Sequence, residues 1–268
     1  MAFTTDVPLD PSLYRLDPTS LEFFKQQTGI AGEDDLKRHI FGVQAQAFAV
    51  APYPCIYSFG FTKLRISKHP KYQNVLQLGR DCTGALLLDL GCCFGNDARK
   101  AVADGWPVTQ IISTDIKQEF WDLGHDLFRS TSESFPSTFI AGDCLEPSFL
   151  TSDPGPASPS PVPDLSSITS LNDLHGTLTA IHASSIFHLF SAEEQASLIG
   201  LPRQGTVGEE VLGMSVEMYC YDPESWKKLW EDAGSFKVEA FLTEVIDLKG
   251  EVAWKMFWSA TKSMGSAV

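Results

Sequence analysis

The sequence predicts an α/β protein in which a mostly parallel sheet ends in an antiparallel hairpin, with a helical segment ahead of it. Three observations predict this. From residue 85 onward, short apolar runs alternate with amphipathic stretches, the pattern of strands and helices in succession. The last two strand candidates, Phe236 to Ile246 and Val252 to Ala260, are separated only by Asp247 to Glu251, a loop short enough for a hairpin. With 268 residues, 43% apolar and 20% charged, the chain has the composition of a globular protein and length for a sizeable core.

Residues 1 to 80 read as mostly helical. After the break at Gly29 to Gly32, Leu36, Ile40, Val43 and Ala47 recur every three to four residues, with Glu33, Asp34 and Asp35 at the positive end of the helix dipole. That helix should stop before Pro52 and Pro54, and shorter helices are expected over Ser20 to Gln27 and Lys71 to Leu78. Ala85 to Leu90 is the first strand, a continuous apolar run of the kind buried on both faces. A helix from Asp97 to Ala103 follows, stopped by Gly105 and Pro107. Val108 to Thr114 is the second strand. Phe120, Leu123, Leu127 and Phe128 mark the next helix, and Phe139 to Ala141 is a short third strand. Strand, helix, strand, helix, strand implies parallel pairing with right-handed crossovers.

Residues 151 to 163 contain five prolines in thirteen positions, which reads as a surface insertion. A helix at Leu165 to Leu174 and a fourth strand at Leu178 to Ala183 resume the alternation. Ser191 and Glu194 form a capping-box pattern ahead of a helix at Ala192 to Ile199, and Asp222-Pro223 opens another running to Ala233. Between them, Gly205 to Met214 should supply a buried fifth strand, yet it carries Glu209 and Glu210 side by side and two internal glycines. Either a divergent strand or a local irregularity in the 190–220 segment is expected.

Charge narrows the function. Lys plus Arg number 20 against 34 Asp plus Glu, a net charge of -14, which argues against a phosphate-tracking nucleic-acid surface. The amino terminus lacks the cationic and apolar regions of a secretory signal, and no apolar run approaches a membrane span. Six cysteines without C-x-x-C spacing read as reduced thiols in the cytoplasm, with no metal set.

The chemistry is concentrated in Leu88-Asp-Leu-Gly-Cys-Cys-Phe-Gly-Asn-Asp97: a strand ending in an acid, a glycine turn, and a helix start whose amides favour negative groups. A dinucleotide fingerprint would need glycine at positions 93 and 96, where Cys93 and Asn96 stand, and no P-loop pattern occurs. Asp115, at the end of the second strand, can accept from ribose hydroxyls. Asp143, after the third, can accept from an exocyclic amine, with the Cys144 amide available to a ring nitrogen. Three acids at the ends of three successive strands point to a nucleoside ligand.

Asp89, Gly91 and Gly95 resemble the first motif of class I S-adenosylmethionine-dependent methyltransferases, with Cys93 replacing the usual middle glycine. Through Thr28-Gly-Ile-Ala, Tyr53-Pro-Cys-Ile56, Gly91 to Asp97, Gly124-His-Asp-Leu-Phe128 and Asp222-Pro-Glu-Ser-Trp226, the whole chain is similar to a fungal group that includes methyltransferases of secondary-metabolite and meroterpenoid gene clusters. The resemblance implies a Rossmann-like, doubly wound, seven-stranded sheet domain at residues 81–268, with residues 1–80 as a helical cap and substrate lid. It implies O-methylation of a hydrophobic small molecule, at a carboxylate or hydroxyl. Asp89, Gly91, Cys92, Cys93 and Gly95 would line the methionine end of S-adenosylmethionine. Asp115 and Ile116 would hold the ribose and one adenine face, and Asp143 with Cys144 the adenine edge. His182 is the expected catalytic residue near the sulfonium.

A sulfonium methyl is already activated, so placement in a water-poor pocket is the main requirement. A phenol or alcohol acceptor would need a base, for which His182, His188, His175 and His125 are candidates, His125 reading as structural; a carboxylate would need none. Two other functions compete: a non-methylating member of the fold, regulatory or cyclase-like, and a nicotinamide-dependent oxidoreductase, which the missing glycines disfavour.

Overall fold

A computed structural model of the chain describes residues 7–151, 163–199, 207–211, 214–218, 221–234, 236–246 and 252–262. The chain divides into two compact units, one of Met1–Asp143 with Pro156–Ser184, the other of Cys144–Gly155 with Ser185–Val268.

In the first unit, Asp17 caps helix α1 (Pro18–Thr28) by accepting from Ser20 N at 2.9 Å, and Gly29, at φ 69°, ends it. Helix α2 (Glu33–Val50) begins with the three acids expected to favour its start and stops at Ala51, one residue before Pro52. Its buried face, Leu36, Ile40, Val43, Gln44, Ala47 and Phe48, is the face the periodicity marked. The short α3 (Pro54–Tyr57) and two 3-10 turns, Gly60–Thr62 and Ile66–Lys68, lead to α4 (Tyr72–Asp81). The periodicity could not show these short turns, because a single turn has no repeat.

Strand β1 (Leu86–Leu90) is followed by α5 (Asn96–Ala103), β2 (Ile111–Asp115), α6 (Gln118–Phe128), β3 (Thr138–Ala141) and β4 (Leu178–Ala183). The four strands form one parallel sheet in the order β3-β2-β1-β4. The order reverses between β1 and β4, so the crevice at their carboxyl ends is where an open α/β sheet takes its ligand. Val108–Gln110, expected as strand, is a 3-10 turn, with the Trp106 indole donating to Gln110 O. The helix expected at Leu165 to Leu174 shrinks to a 3-10 turn, Leu171–Leu174. Asp164 accepts from Ser166 N and Ser166 Oγ, and Asp173 from the Thr169 and Ser170 amides; these local bonds compete with helical ones. Most of the proline-rich insertion, residues 152–162, lies outside the described residues.

The second unit contains α7 (Ala192–Ile199), β5 (Val207–Val211), β6 (Met214–Met218), α8 (Pro223–Ala233), β7 (Phe236–Ile246) and β8 (Val252–Lys262). Among the described residues, strands β5 and β6 pair with each other, as do β7 and β8, both antiparallel. The chain thus has a four-stranded parallel sheet and two separate ladders among the described residues, where one seven-stranded sheet was expected. The irregular 205–214 segment supplies β5, but in a two-stranded ladder, a setting that tolerates adjacent glutamates better than the middle of a sheet buried on both faces. The β7 to β8 loop, 247–251, lies outside the described residues. Trp226, Leu229 and Ala196 form this unit's core, with Trp230, Trp258 and Phe187 packed against them.

Candidate nucleoside site

Three backbone positions shape the turn after β1. Gly91, Cys93 and Gly95 all have positive φ, at 71°, 52° and 70°. Cys93 therefore occupies a left-handed conformation that usually selects glycine. Two ladder-like bonds tie the turn to β2, from Gly91 N and Cys92 N to Thr114 O at 2.9 and 3.0 Å. Helix α6 closes on it from outside: a Cβ on Gly95 would lie 2.6 Å from the Trp121 ring, and one on Gly124 would lie 2.4 Å from Phe94 O. The two glycines let the helix approach the turn this closely.

Asp89 is buried, 4% exposed, and among the described residues its Oδ2 has no hydrogen-bond partner. Burial pushes its carboxyl up to about 7, against the pull of His182 and the Ala98 amide. A buried carboxylate oxygen without a donor suits a ligand ammonium group. Asp115 is half-buried; its Oδ2 accepts from Cys93 N at 2.9 Å and its Oδ1 from Lys117 N at 3.1 Å. Burial raises its pKa, with the Lys117 and Cys93 amides opposing. Ile116, next in the chain, is 56% exposed beside this carboxylate, an unusual position for isoleucine and a ready flat apolar contact. Asp143 and Cys144, both half-buried, follow β3. The buried Cys92 and half-buried Cys93 thiols are pushed well up, chiefly by burial, and stay neutral.

His182 lies opposite Asp89 in the β1 to β4 register. Its Nε2 is 2.9 Å from Asp97 Oδ2, in the first turn of α5. Asp97 Oδ1 also accepts from Arg65 N at 2.8 Å and Ile66 N at 3.0 Å, so one carboxylate joins β4, α5 and the amino-terminal segment. Asn96 adds a side-chain bond to Phe61 O. The sequence reading gave Asp97 and Asn96 no role; the available signal was their position directly after the glycine turn. His125 is held by Ser130 Oγ at 3.0 Å, and its pKa is lowered by burial and by nearby Arg99. The Arg99 guanidinium lies over the rings of Phe128 and Phe135, 4.7 and 4.0 Å from their centroids.

Among the described residues, no group of three or more His, Cys, Asp or Glu side chains is placed to hold a metal ion, and no helix is long and apolar enough to cross a membrane.

A family model of the meroterpenoid methyltransferase N-terminal domain matches residues 9–62. The Asnovolin E/Chermesin D methyltransferase of Aspergillus novofumigatus is 31% identical over 249 residues, 84% of this chain and 81% of its own. An O-methyltransferase of Stereocaulon alpinum is 28% identical over 254 residues, 85% of this chain and 66% of its own. Among solved structures, magnesium protoporphyrin IX methyltransferase from Synechocystis PCC 6803 with bound S-adenosylmethionine aligns at a TM-score of 0.42 and 13% identity, over 96% of this chain and 100% of its own. The class is that of methyltransferases. Within it, the chain belongs to the fungal meroterpenoid methyltransferase family.

Proposed function

We propose that the protein transfers a methyl group to an oxygen of a hydrophobic small molecule of fungal secondary metabolism, a carboxylate or a hydroxyl. The observation that supports this reading most directly is the set of three acids, Asp89, Asp115 and Asp143, at or just beyond the carboxyl ends of adjacent parallel strands beside a turn of three left-handed residues. When bound, S-adenosylmethionine supplies an activated methyl on sulfur. The unpartnered oxygen of Asp89 would receive its ammonium group, and the backbone of Gly91, Cys92, Cys93 and Gly95 would line the same end. Asp115, already oriented by two amides, would accept from the ribose hydroxyls, and Ile116 would cover one adenine face. Asp143 and the Cys144 amide would read the adenine edge.

Residues 1–80 act in this reading as a cap and substrate lid, and residues 81–268 as the cofactor domain. His182 has Nε2 engaged with Asp97, so a base role would fall to Nδ1. That engagement favours an acceptor that arrives ionised, a carboxylate, for which placement suffices. We place the reaction in the cytoplasm, with no nucleic-acid partner.

The direct test is calorimetric titration with S-adenosylhomocysteine. The wild type should bind, and Asp115→Ala should bind at least tenfold more weakly; undiminished binding by the variant removes the site assignment. Because Asp115 also accepts from the Cys93 amide, the variant should lose about 1–2 kcal/mol of stability as well. Mass-spectrometric screening of hydrophobic acids and phenols for the gain of one methyl then identifies the acceptor.

A further inference from the structure

Aromatic side chains of the amino-terminal segment converge on the glycine turn. Phe61 packs on Phe94 at 4.9 Å, Phe94 on Phe120 at 5.7 Å, and Tyr53 meets Phe120 edge-on at 5.8 Å. Phe120 stands at the start of α6, five residues after Asp115, so Tyr53 sits beside the loop that carries the ribose-type acid.

Its placement is rigid. The Tyr53 carbonyl accepts from the Ile56 and Tyr57 amides, both at 3.0 Å, and the buried Gln44 side chain donates to Ile56 O and Tyr57 O at 3.0 Å each. The phenol is half-buried, yet among the described residues no group hydrogen-bonds its hydroxyl. A tyrosine whose ring is packed and whose hydroxyl has no protein partner is placed to use that hydroxyl on a ligand. Burial raises its pKa first, and the charge of Asp115 next, followed by Cys55 and Cys93. The hydroxyl therefore stays protonated and can both donate and accept.

We propose that Tyr53 is a ribose-positioning residue: its hydroxyl, brought by the amino-terminal cap, shares with Asp115 the binding of the nucleoside's ribose hydroxyls. This rests on the cofactor reading above and extends it, because it makes the cap part of the cofactor site as well as a cover for the acceptor. Asp115 uses two amides to orient its oxygens and has lone pairs left for a ribose diol. Tyr53 would hold the same diol.

The test compares wild type, Tyr53→Phe and Asp115→Ala by calorimetry with two probes, S-adenosylhomocysteine and its 2′,3′-dideoxyribose analogue. Tyr53→Phe keeps the ring on Phe120 and removes only the hydroxyl. It should bind S-adenosylhomocysteine about three- to tenfold more weakly than wild type, the effect of one lost hydrogen bond, and should bind the dideoxy analogue as wild type does. Equal weakening for both probes would assign Tyr53 a structural role and overturn the proposal, as would no weakening for either. If Asp115→Ala weakens S-adenosylhomocysteine and Tyr53→Phe does not, only the Tyr53 assignment fails. If Asp115→Ala also binds normally, the cofactor reading itself fails.

Discussion

Replacing Asp97 with alanine should unseat three donors at once. Its Oδ1 accepts from Arg65 N and Ile66 N at 2.8 and 3.0 Å, and its Oδ2 holds His182 Nε2 at 2.9 Å. A buried donor left unsatisfied costs about 1–3 kcal/mol, and breaking a buried ion pair costs about 3–5 kcal/mol. These contributions overlap, and the side chains of Asp97 and His182 keep 12% and 16% exposure, so water replaces part of what is lost. The expected total is about 4 kcal/mol. For a chain of this size that corresponds to a fall in Tm of roughly 8–16 °C.

The pH dependence has a definite sign. Burial disfavours the ionised form of Asp97, but the His182 bond and the two backbone amides outweigh it and hold the carboxyl below its usual 3.8. The stabilisation from Asp97 is therefore present above 3.8 and is lost as pH falls through the lowered value. Burial likewise disfavours charging His182, yet Asp97 raises its pKa above 6.5. The stabilisation from His182 is full below 6.5 and is lost as pH rises through the raised value. Urea unfolding of wild type and Asp97→Ala should show the largest difference between about pH 4 and 6.5, narrowing on both sides. A difference below about 1.5 kcal/mol at pH 5.5, or one that stays flat from pH 5.5 to 9, would refute the pairing.

Two further outcomes follow from the same geometry. Because the folded state raises the Asp89 carboxyl to about 7, ionising it weakens the fold as pH rises from 3.8 toward 7; Asp89→Asn should then stabilise the free protein at pH 8 by about 1–3 kcal/mol while weakening S-adenosylhomocysteine at least tenfold, and a destabilised variant at pH 8 would contradict this. In Gly124→Ala the new Cβ meets the backbone of Phe94, so crowding of about 1–3 kcal/mol outweighs the gain of about 1 kcal/mol in helix propensity, and Tm should fall by roughly 0–8 °C. Displacement of the turn should still raise the Kd for S-adenosylhomocysteine about tenfold or more, and an unchanged Kd would show that α6 can retreat without moving the turn.

Much of the first unit was legible because its signals are local. Apolar runs at Leu86–Leu90 and Ile111–Thr114 and the stripe of α2 could be read directly, as could Gly105 and Pro52 as stops. Polar side chains that bond their own backbone misled the reading: the residues around Asp164 and Asp173 look helical in pattern, but their local bonds leave only one 3-10 turn. Strand partners in the second unit were also beyond local pattern. The terminal hairpin was recoverable from its short loop, whereas the seven-stranded expectation came from resemblance, and β5 and β6 pair with each other instead.

For the site, the sequence by itself determined which residue types stand at the ends of β1, β2 and β3, because a strand, an acid and a glycine turn are contiguous in the chain. The family was legible as a resemblance carried by segments spread along the chain, from Thr28-Gly-Ile-Ala to Asp222-Pro-Glu-Ser-Trp226. Only the tertiary structure decided what each acid faces. Asp97 meets His182 across 85 residues and the Arg65 amide across 32, and Tyr53 reaches the start of α6 across 67. The first of these arises because the parallel order sets β4, with His182, beside β1, the strand that leads into α5. The left-handed Cys93 is likewise decided there, since bonds to Thr114 and Asp115 hold the turn in a conformation its own side chain would not choose.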